Sequence, residues 1–272
     1  MSLPDIVVAD SVTKLGPEAR GAIAIAASHG GVIAVQMALA GGIVGVLLND
    51  AGIGLDRAGI GGLTFGDSFG VPCAVIDHRS ARIGDGADHA ARGVVSHANA
   101  AAMWFGVRPG MPAREAAERL RAVAPRPADP GPLPNEAREI IMLPGALRPL
   151  VLADSASLVA VEDVGAVVFT GSHGGLLGGR PETAIKFDVF AALYNDAGIG
   201  IDEAGVSRLP ALDARDIAGV TVAAASARIG EARSAFETGV LSRVNRIAAA
   251  RGAHEGMRAG DFAALMCCSA RA

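Results

Sequence analysis

"LLNDAGIGLDRAG", residues 47–59, returns as "LYNDAGIGIDEAG" at residues 193–205. An apolar run that ends in Asn-Asp-Ala-Gly and opens into a glycine-interrupted loop reads as a strand delivering polar side chains to a turn. Its return 146 positions later (193 minus 47) makes it part of a repeated unit. At the same offset, "SARIGD" (80–85) matches "SARIGE" (226–231), and "GVVSHAN" (93–99) matches "GVLSRVN" (239–245). Toward the N-terminus the offset is 144: "VVADS" (7–11) matches "VLADS" (151–155), and "SHGG" occurs at 28–31 and again at 172–175. The chain therefore reads as a tandem duplication, with two extra residues in the second copy between its Ser-His-Gly-Gly and Asn-Asp-Ala-Gly motifs. The expected organisation is a first repeat over 1–123, a linker over 124–145 and a second repeat over 146–272. Five prolines in "APRPADPGPLPNEARE" (124–139) predict a semi-rigid connection.

Each copy carries four apolar runs of strand length. They are "DIVVA", "GAIAIAA", "GIVGVLL" and "PCAVID" in the first, and "PLVLA", "GAVVFTG", "FAALY" and "GVTVAAA" in the second. Runs with little alternation, separated by glycine-rich turns and helical segments, predict an α/β fold: two duplicated units with mostly parallel sheets, covered on both faces and related by a pseudo-two-fold axis. Residues 86–105 and 232–251 read as helical, and "MPAREAAERLRAV" (111–123) as an amphipathic helix with Pro112 at its start.

Composition narrows the class. With 51% hydrophobic residues the 272-residue chain can bury large cores. A net charge of -4 offers no basic footprint, so no nucleic-acid partner is expected. Two lysines, Lys14 and Lys186, stand against 22 arginines (24 minus 2). The three cysteines, Cys73, Cys267 and Cys268, have neither a disulfide framework nor zinc-site spacing; they fit a reducing compartment, and the start "MSLPDIVVAD" is unlike a signal peptide, so the expectation is cytoplasmic. "GGVIAVQMALAGGIVGVLL" (30–48) is uncharged over 19 residues, near membrane-spanning length. Its counterpart in the second copy carries Arg180, Glu182, Lys186 and Asp188, so the stretch reads as a buried helix followed by a buried strand, and no membrane partner is expected. Alanine- and glycine-rich faces with few aromatics predict close helix packing and a homo-oligomer.

The repeated motifs all fall just beyond strand carboxyl ends, the edge at which open α/β sheets bind ligands. Asp10-Ser11 and Asp154-Ser155 cap turns in the structural reading and contact substrate in the functional one. In Ser28-His29-Gly30-Gly31 and Ser172-His173-Gly174-Gly175, serine and histidine are candidate nucleophile and base, and the glycine amides are candidate oxyanion donors. Adjacent strand residues face opposite ways, which argues against Ser28 and His29 as mutual partners. Asn49-Asp50 and Asn195-Asp196 offer carboxylates that orient a neighbour or act as base. Ser80 with Arg82, and Ser226 with Arg228, add a guanidinium fork for a carboxylate or phosphate, against the alternative of an internal salt bridge. The copies differ where Asp77-His78-Arg79 faces Ala223-Ala224-Ala225, and where the second alone has Lys186, Arg180 and the single tyrosine, Tyr194. Lys186 is a candidate activated amine or electrostatic anchor, and His78 a candidate substrate contact. His78, His89, Asp77, Asp85 and Asp88 lack metal-ligand spacing, and no glycine motif has the order of a nucleotide fingerprint; neither metal nor cofactor is expected.

"FTGSHGG…ALYNDAGIG" resembles the adjacent histidine and cysteine strands of caspase-like proteases in its order: a strand ending in Ser-His-Gly, then a strand ending in a small residue and glycine. The resemblance implies neighbouring parallel strands. Where that family has its cysteine nucleophile this chain has Asn49-Asp50 and Asn195-Asp196.

These features together predict a small-molecule enzyme, first of all a cofactor-independent hydrolase of an amide or other C–N bond in a small anionic substrate. The alternatives are an acid–base isomerase or lyase in which both halves present groups to one carbon, and a non-catalytic small-molecule binding protein.

Overall fold

The computed structural model describes residues 3–123, 128–132 and 136–270; parts of the expected linker, 124–127 and 133–135, lie outside the described residues. The first repeat builds a five-stranded sheet from β1 (Ile6–Ala9), β2 (Ile23–His29), β3 (Gly45–Asn49), β4 (Cys73–Ile76) and β5 (Val95–Ala98), ordered as in the chain. β1 to β4 run parallel and β5 closes the edge antiparallel. The second repeat builds the same sheet from β7 (Leu150–Ala153), β8 (Val167–His173), β9 (Ala191–Asn195), β10 (Ala218–Val222) and antiparallel β11 (Leu241–Val244). A sixth strand, β6 (Arg138–Ile141), comes from the segment between the repeats and pairs antiparallel with β7. The expected α/β class with two similar, mostly parallel sheets is thus observed, and the eight expected apolar runs are its eight parallel strands.

Strand alternation assigns the two faces. In the first repeat, α1 (Val32–Ala40) and α2 (Gly62–Ser68) cover the face that presents Ala24, Ala26, Val46, Leu48 and Val75. The small Ala24 and Ala26 let α1 approach closely. Ile23, Ile25, Leu47 and Ile76 face the other way, against α3 (Gly86–Arg92), α4 (Ala100–Trp104) and α5 (Ala113–Leu120). In the second repeat α6 (Arg208–Asp213) takes one face, while α7 (Ala232–Thr238), α8 (Arg246–Ala250) and α9 (Ala259–Cys268) take the other around Phe169 and Phe262. The uncharged stretch 30–48 divides into α1 and β3, and no described helix is long and apolar enough to cross a membrane.

The stretches 86–105 and 232–251 are not continuous helix. Each is helix, edge strand, helix, because Gly93 and Gly239 stop the first helix and an asparagine starts the second. Asn99 Oδ1 accepts from Ala102 N at 2.8 Å and from Cys73 N at 2.9 Å, so one side chain both caps α4 and joins it to β4. Asn245 does the same for α8.

The two sheets meet at their strand carboxyl edges about a pseudo-two-fold axis. A Cβ on Gly52 would lie 2.8 Å from Gly198 Cα, and a Cβ on Gly198 would lie 2.8 Å from Gly52 Cα, so the axis passes between these equivalent glycines. Both have positive φ, +69° and +77°, a conformation and a contact that only glycine satisfies. Reciprocal bonds follow: Leu55 N donates to Ala224 O at 2.8 Å, and Ile201 N to His78 O at 2.9 Å. Ile53 and Ile199, at φ 65° and 64°, hold the same left-handed backbone in both copies. That conformation is unfavourable for a β-branched residue, and here the interface holds it.

Candidate functional site

Most of the repeated polar residues are committed to structural bonds, within each repeat or across this junction. Asp10 Oδ1 accepts from Gly86 N at 3.0 Å, and Asp154 Oδ1 from Ala232 N at 2.9 Å, so each ties β1 or β7 to the first turn of α3 or α7. Asn49 and Asn195 are buried; each side-chain oxygen holds the amide two residues on (Ala51, Ala197), and each side-chain nitrogen donates to the carbonyl of Ala81 or Ala227. Asp196 Oδ1 accepts from Gly198 N and Ala224 N. Arg82 reaches Asp202 of the second repeat at 2.8 Å, and Arg228 reaches Asp56 of the first at 2.6 Å. The two arginines expected to hold substrate are a symmetric pair of ion bridges between repeats. Ser80 and Ser226 use their hydroxyls to close local turns, donating to Asp77 O and Ala223 O.

Asp50 and His78 form an asymmetric pair at the same junction. Asp50 Oδ1 accepts from Gly52 N, His78 N and His78 Nδ1 (2.8 Å), and Oδ2 accepts from Ser96 Oγ. The His78 ring lies over Gly198, where the second copy has only Ala224. Asp77 is 3.5 Å from His78 Nδ1, so three ligand-type atoms lie within 4.8 Å of one another. Asp77 accepts from Arg79 N, Nε and Nη2, and Asp50 is saturated as above, so these atoms are committed to N–H and O–H donors. His89, on the buried side of α3, bonds Asn49 and the Asp85 carbonyl.

What remains is a cleft of about 400 Å³ between the repeats, lined from the first by Ser11, Thr13, Ser28 and His29 and from the second by Ser155, Ser172, His173 and Gly230. His29 and His173 occupy equivalent strand ends, each paired in register with the asparagine of the next strand. Gly31 N donates to His29 Nδ1 at 3.2 Å, and Gly175 N to His173 Nδ1 at 3.1 Å. An amide can only donate, so Nδ1 is the bare nitrogen in both rings and the neutral imidazole carries its proton on Nε2. This is what the two glycines achieve: Gly30 and Gly174 N–H groups continue the sheet to Asn49 O and Asn195 O, and those of Gly31 and Gly175 fix the rings. None of the four is spare as an oxyanion donor. Each ring reaches across the junction, His29 to Gly230 and His173 to Gly84.

Burial lowers His29 from 6.5 to about 4. His173 is pushed well below its ordinary value, first by burial, then by the Arg208 guanidinium and by charge on His29. Both rings are therefore neutral near pH 7. Ser28 Oγ accepts from Val12 N at 3.0 Å and donates to Ser11 Oγ, and Ser172 Oγ accepts from Ala156 N at 2.9 Å. No serine–histidine bond joins Ser28 to His29 or Ser172 to His173 among the described residues; the serines anchor 3-10 turns at Val12–Lys14 and Ala156–Leu158.

Glu136, which carries no repeated motif, also lines the cleft. Burial, and then the Asp154 charge, raise its carboxyl above the ordinary range. It has no hydrogen bond or ion pair among the described residues. Its position between the repeats gives it no equivalent in the first copy, so the repeat pattern that exposed the histidines could not find it; the only signal was an acid inside a proline-rich connection.

Fold and cleft define an α/β protein of two similar units whose two equivalent histidines line one cleft. No protein family, curated protein or solved structure matches the chain.

Proposed function

We propose that the cleft carries out acid–base chemistry on a small oxygen-bearing substrate, as a proton-transferring isomerase or lyase, and not through a serine nucleophile. The carrying observation is the pair of neutral imidazoles whose Nδ1 atoms are fixed by their own Gly-Gly amides, leaving two Nε2–H donors at one site. A neutral imidazole that cannot protonate near pH 7 donates a hydrogen bond to a developing oxyanion without supplying a full charge. Glu136 supplies the complementary function: a carboxyl with a raised pKa, with no hydrogen-bond or ion-pair partner among the described residues, is suited to take a proton from carbon and return it. Both serine oxygens accept from a turn amide, Ser28 also donates to Ser11 Oγ, and neither serine bonds its neighbouring histidine among the described residues, which disfavours the nucleophilic hydrolysis expected from the sequence.

The test is solvent deuterium incorporation, followed by NMR in D2O over a panel of small α-hydroxy and keto compounds in carboxylate and phosphate forms. Exchange is expected with wild type, Ser28→Ala and Ser172→Ala, and is expected to fall at least 100-fold in Glu136→Gln and in His29→Ala. Turnover of an amide that survives Glu136→Gln and disappears in Ser172→Ala would restore the hydrolase.

A further inference from the structure

The cleft continues into a second lobe of about 330 Å³, which shares Ser11, Thr13, Ser155, Ser172 and His173 with the first. Three cations line it, Lys14 from the first repeat and Lys186 and Arg208 from the second, against one carboxylate, Glu182. We propose that this lobe binds a phosphoryl group of the substrate, which rests on the reading of the first lobe as the reacting site and names its substrate class.

Lys14 and Lys186 are the only lysines of a chain in which 22 of 24 strong bases are arginine. They lie 172 positions apart (186 minus 14), in segments that are not repeat equivalents, yet both line this one lobe. Neither lysine forms an ion pair among the described residues; Lys186 Nζ lies 5.0 Å from the Phe187 ring. Arg208 is 4% exposed and has no carboxylate partner among the described residues. Its Nε donates to Gly175 O, and its Nη1 to the carbonyls of Thr183 and Ala184. The guanidinium also lies over the Tyr194 ring at 4.8 Å. A buried cation held by neutral carbonyls and an aromatic face has no full counter-charge, and a bound anion at the lobe it lines would offset that cost.

The hydroxyls complete the site. Ser11 Oγ accepts from Thr13 N and from Ser28 Oγ, so its own proton goes to Thr13 Oγ1 at 2.9 Å. The Thr13 proton then has no acceptor among the described residues. In the second copy Ser155 Oγ accepts from Ser157 N and pairs with Ser157 Oγ at 2.8 Å, so whichever hydroxyl donates within the pair, the proton of the other is left for a ligand. Each repeat thus delivers one hydroxyl donor to the same lobe. Nε and Nη1 of the guanidinium are spent on carbonyls, which breaks up the fork that would suit a planar carboxylate, so the lobe offers a ligand chiefly ammonium point charges and hydroxyls. Such a set fits a tetrahedral dianion better than a carboxylate.

The probe is inorganic phosphate, titrated into the full-length protein at constant ionic strength by calorimetry, with acetate as the carboxylate arm. Phosphate is expected to bind, at least 10-fold more weakly to Lys186→Ala and to Lys14→Ala, and without detectable heat to the double variant, while the unfolding temperatures of both single variants stay at the wild-type value. His29→Ala and Glu136→Gln are expected to bind phosphate as wild type does. No binding, binding indifferent to both lysines, or acetate binding as tightly as phosphate would overturn the assignment. Lysine-dependent phosphate binding without deuterium exchange on any phosphorylated compound would leave this site standing and remove the isomerase reading alone.

Discussion

The two repeats part company immediately after their shared Ser-His-Gly-Gly. In the first, the chain enters α1, whose inner side, Ala34, Val35, Ala38 and Leu39, packs on the sheet while Val32, Ile33 and Met37 line the cleft. In the second, the equivalent chain is a loop with 3-10 turns at Leu177–Gly179 and Pro181–Thr183, interrupted by Gly178, Gly179 and Pro181. Arg208 clamps that loop from below, at the place where the first copy has Gly62 packed against Val35. Identical cradles for two histidines therefore face an apolar wall on one side and a cationic wall on the other. The two copies have kept most of the junction symmetric and changed the surroundings of the histidines, so one cleft has two chemically different walls.

The symmetric part is the most sensitive to mutation. Gly52→Val places a side chain 2.8 Å from Gly198 Cα at φ +69°, combining overpacking with a disfavoured backbone. A loss of about 3–5 kcal/mol is expected, read by chemical denaturation. An unchanged midpoint would show that the repeats do not meet at this axis.

Arg208→Met tests the asymmetric part. It strips the Gly175 and Thr183 carbonyls of their buried donor, leaves Ala184 O to the Tyr194 hydroxyl alone, and should cost about 2–4 kcal/mol. It also removes a charge that holds the His173 pKa down, so the His173 titration followed by NMR should move up while that of His29 stays in place. Equal movement of both rings would break the distinction between the two walls.

The histidines also set a pH dependence. With His29 near 4 in the folded chain and at 6.5 unfolded, the unfolded state binds more protons between those values. Stability is complete above about pH 6.5, falls as the pH drops toward 4, and stops falling on this account below that. The His29 share is about 1–3 kcal/mol. His29→Asn, which retains a side-chain acceptor for Gly31 N, should flatten that part of the curve; an unflattened curve would mean the ring is not held neutral by burial.

The sheet architecture was legible because duplication printed each strand twice, and because strands buried on both faces read as unbroken apolar runs. Edge strands β5 and β11 were not. "VSHA" and "LSRV" are half-buried, four residues long and flanked by helical alanine-rich sequence, so only pairing with β4 and β10 identifies them. At the site, repetition pointed to His29 and His173 but equally to Asp10, Asn49, Arg82 and their equivalents. Sequence repetition records what both copies need, and a pseudo-symmetric junction needs polar residues as much as a cleft does. Glu136, Lys14 and Arg208 occur once each, so repetition could not reveal them.

His78 gives the smallest effect and separates junction from site most directly. His78→Ala makes the first copy match Ala224 of the second. Asp50 then keeps its bonds to Gly52 N, to the amide of residue 78 and to Ser96 Oγ, and loses only the Nδ1 donor. Asp196 already manages without a ring partner, so the cost should be about 1 kcal/mol or less. Phosphate affinity and deuterium exchange should match wild type, because the ring lies over Gly198 at the axis and not in either lobe of the cleft. Exchange abolished by His78→Ala, at unchanged stability, would move the reacting centre from the paired histidines to the Asp50–His78 pair, and would make the second repeat the scaffold and the first the working half.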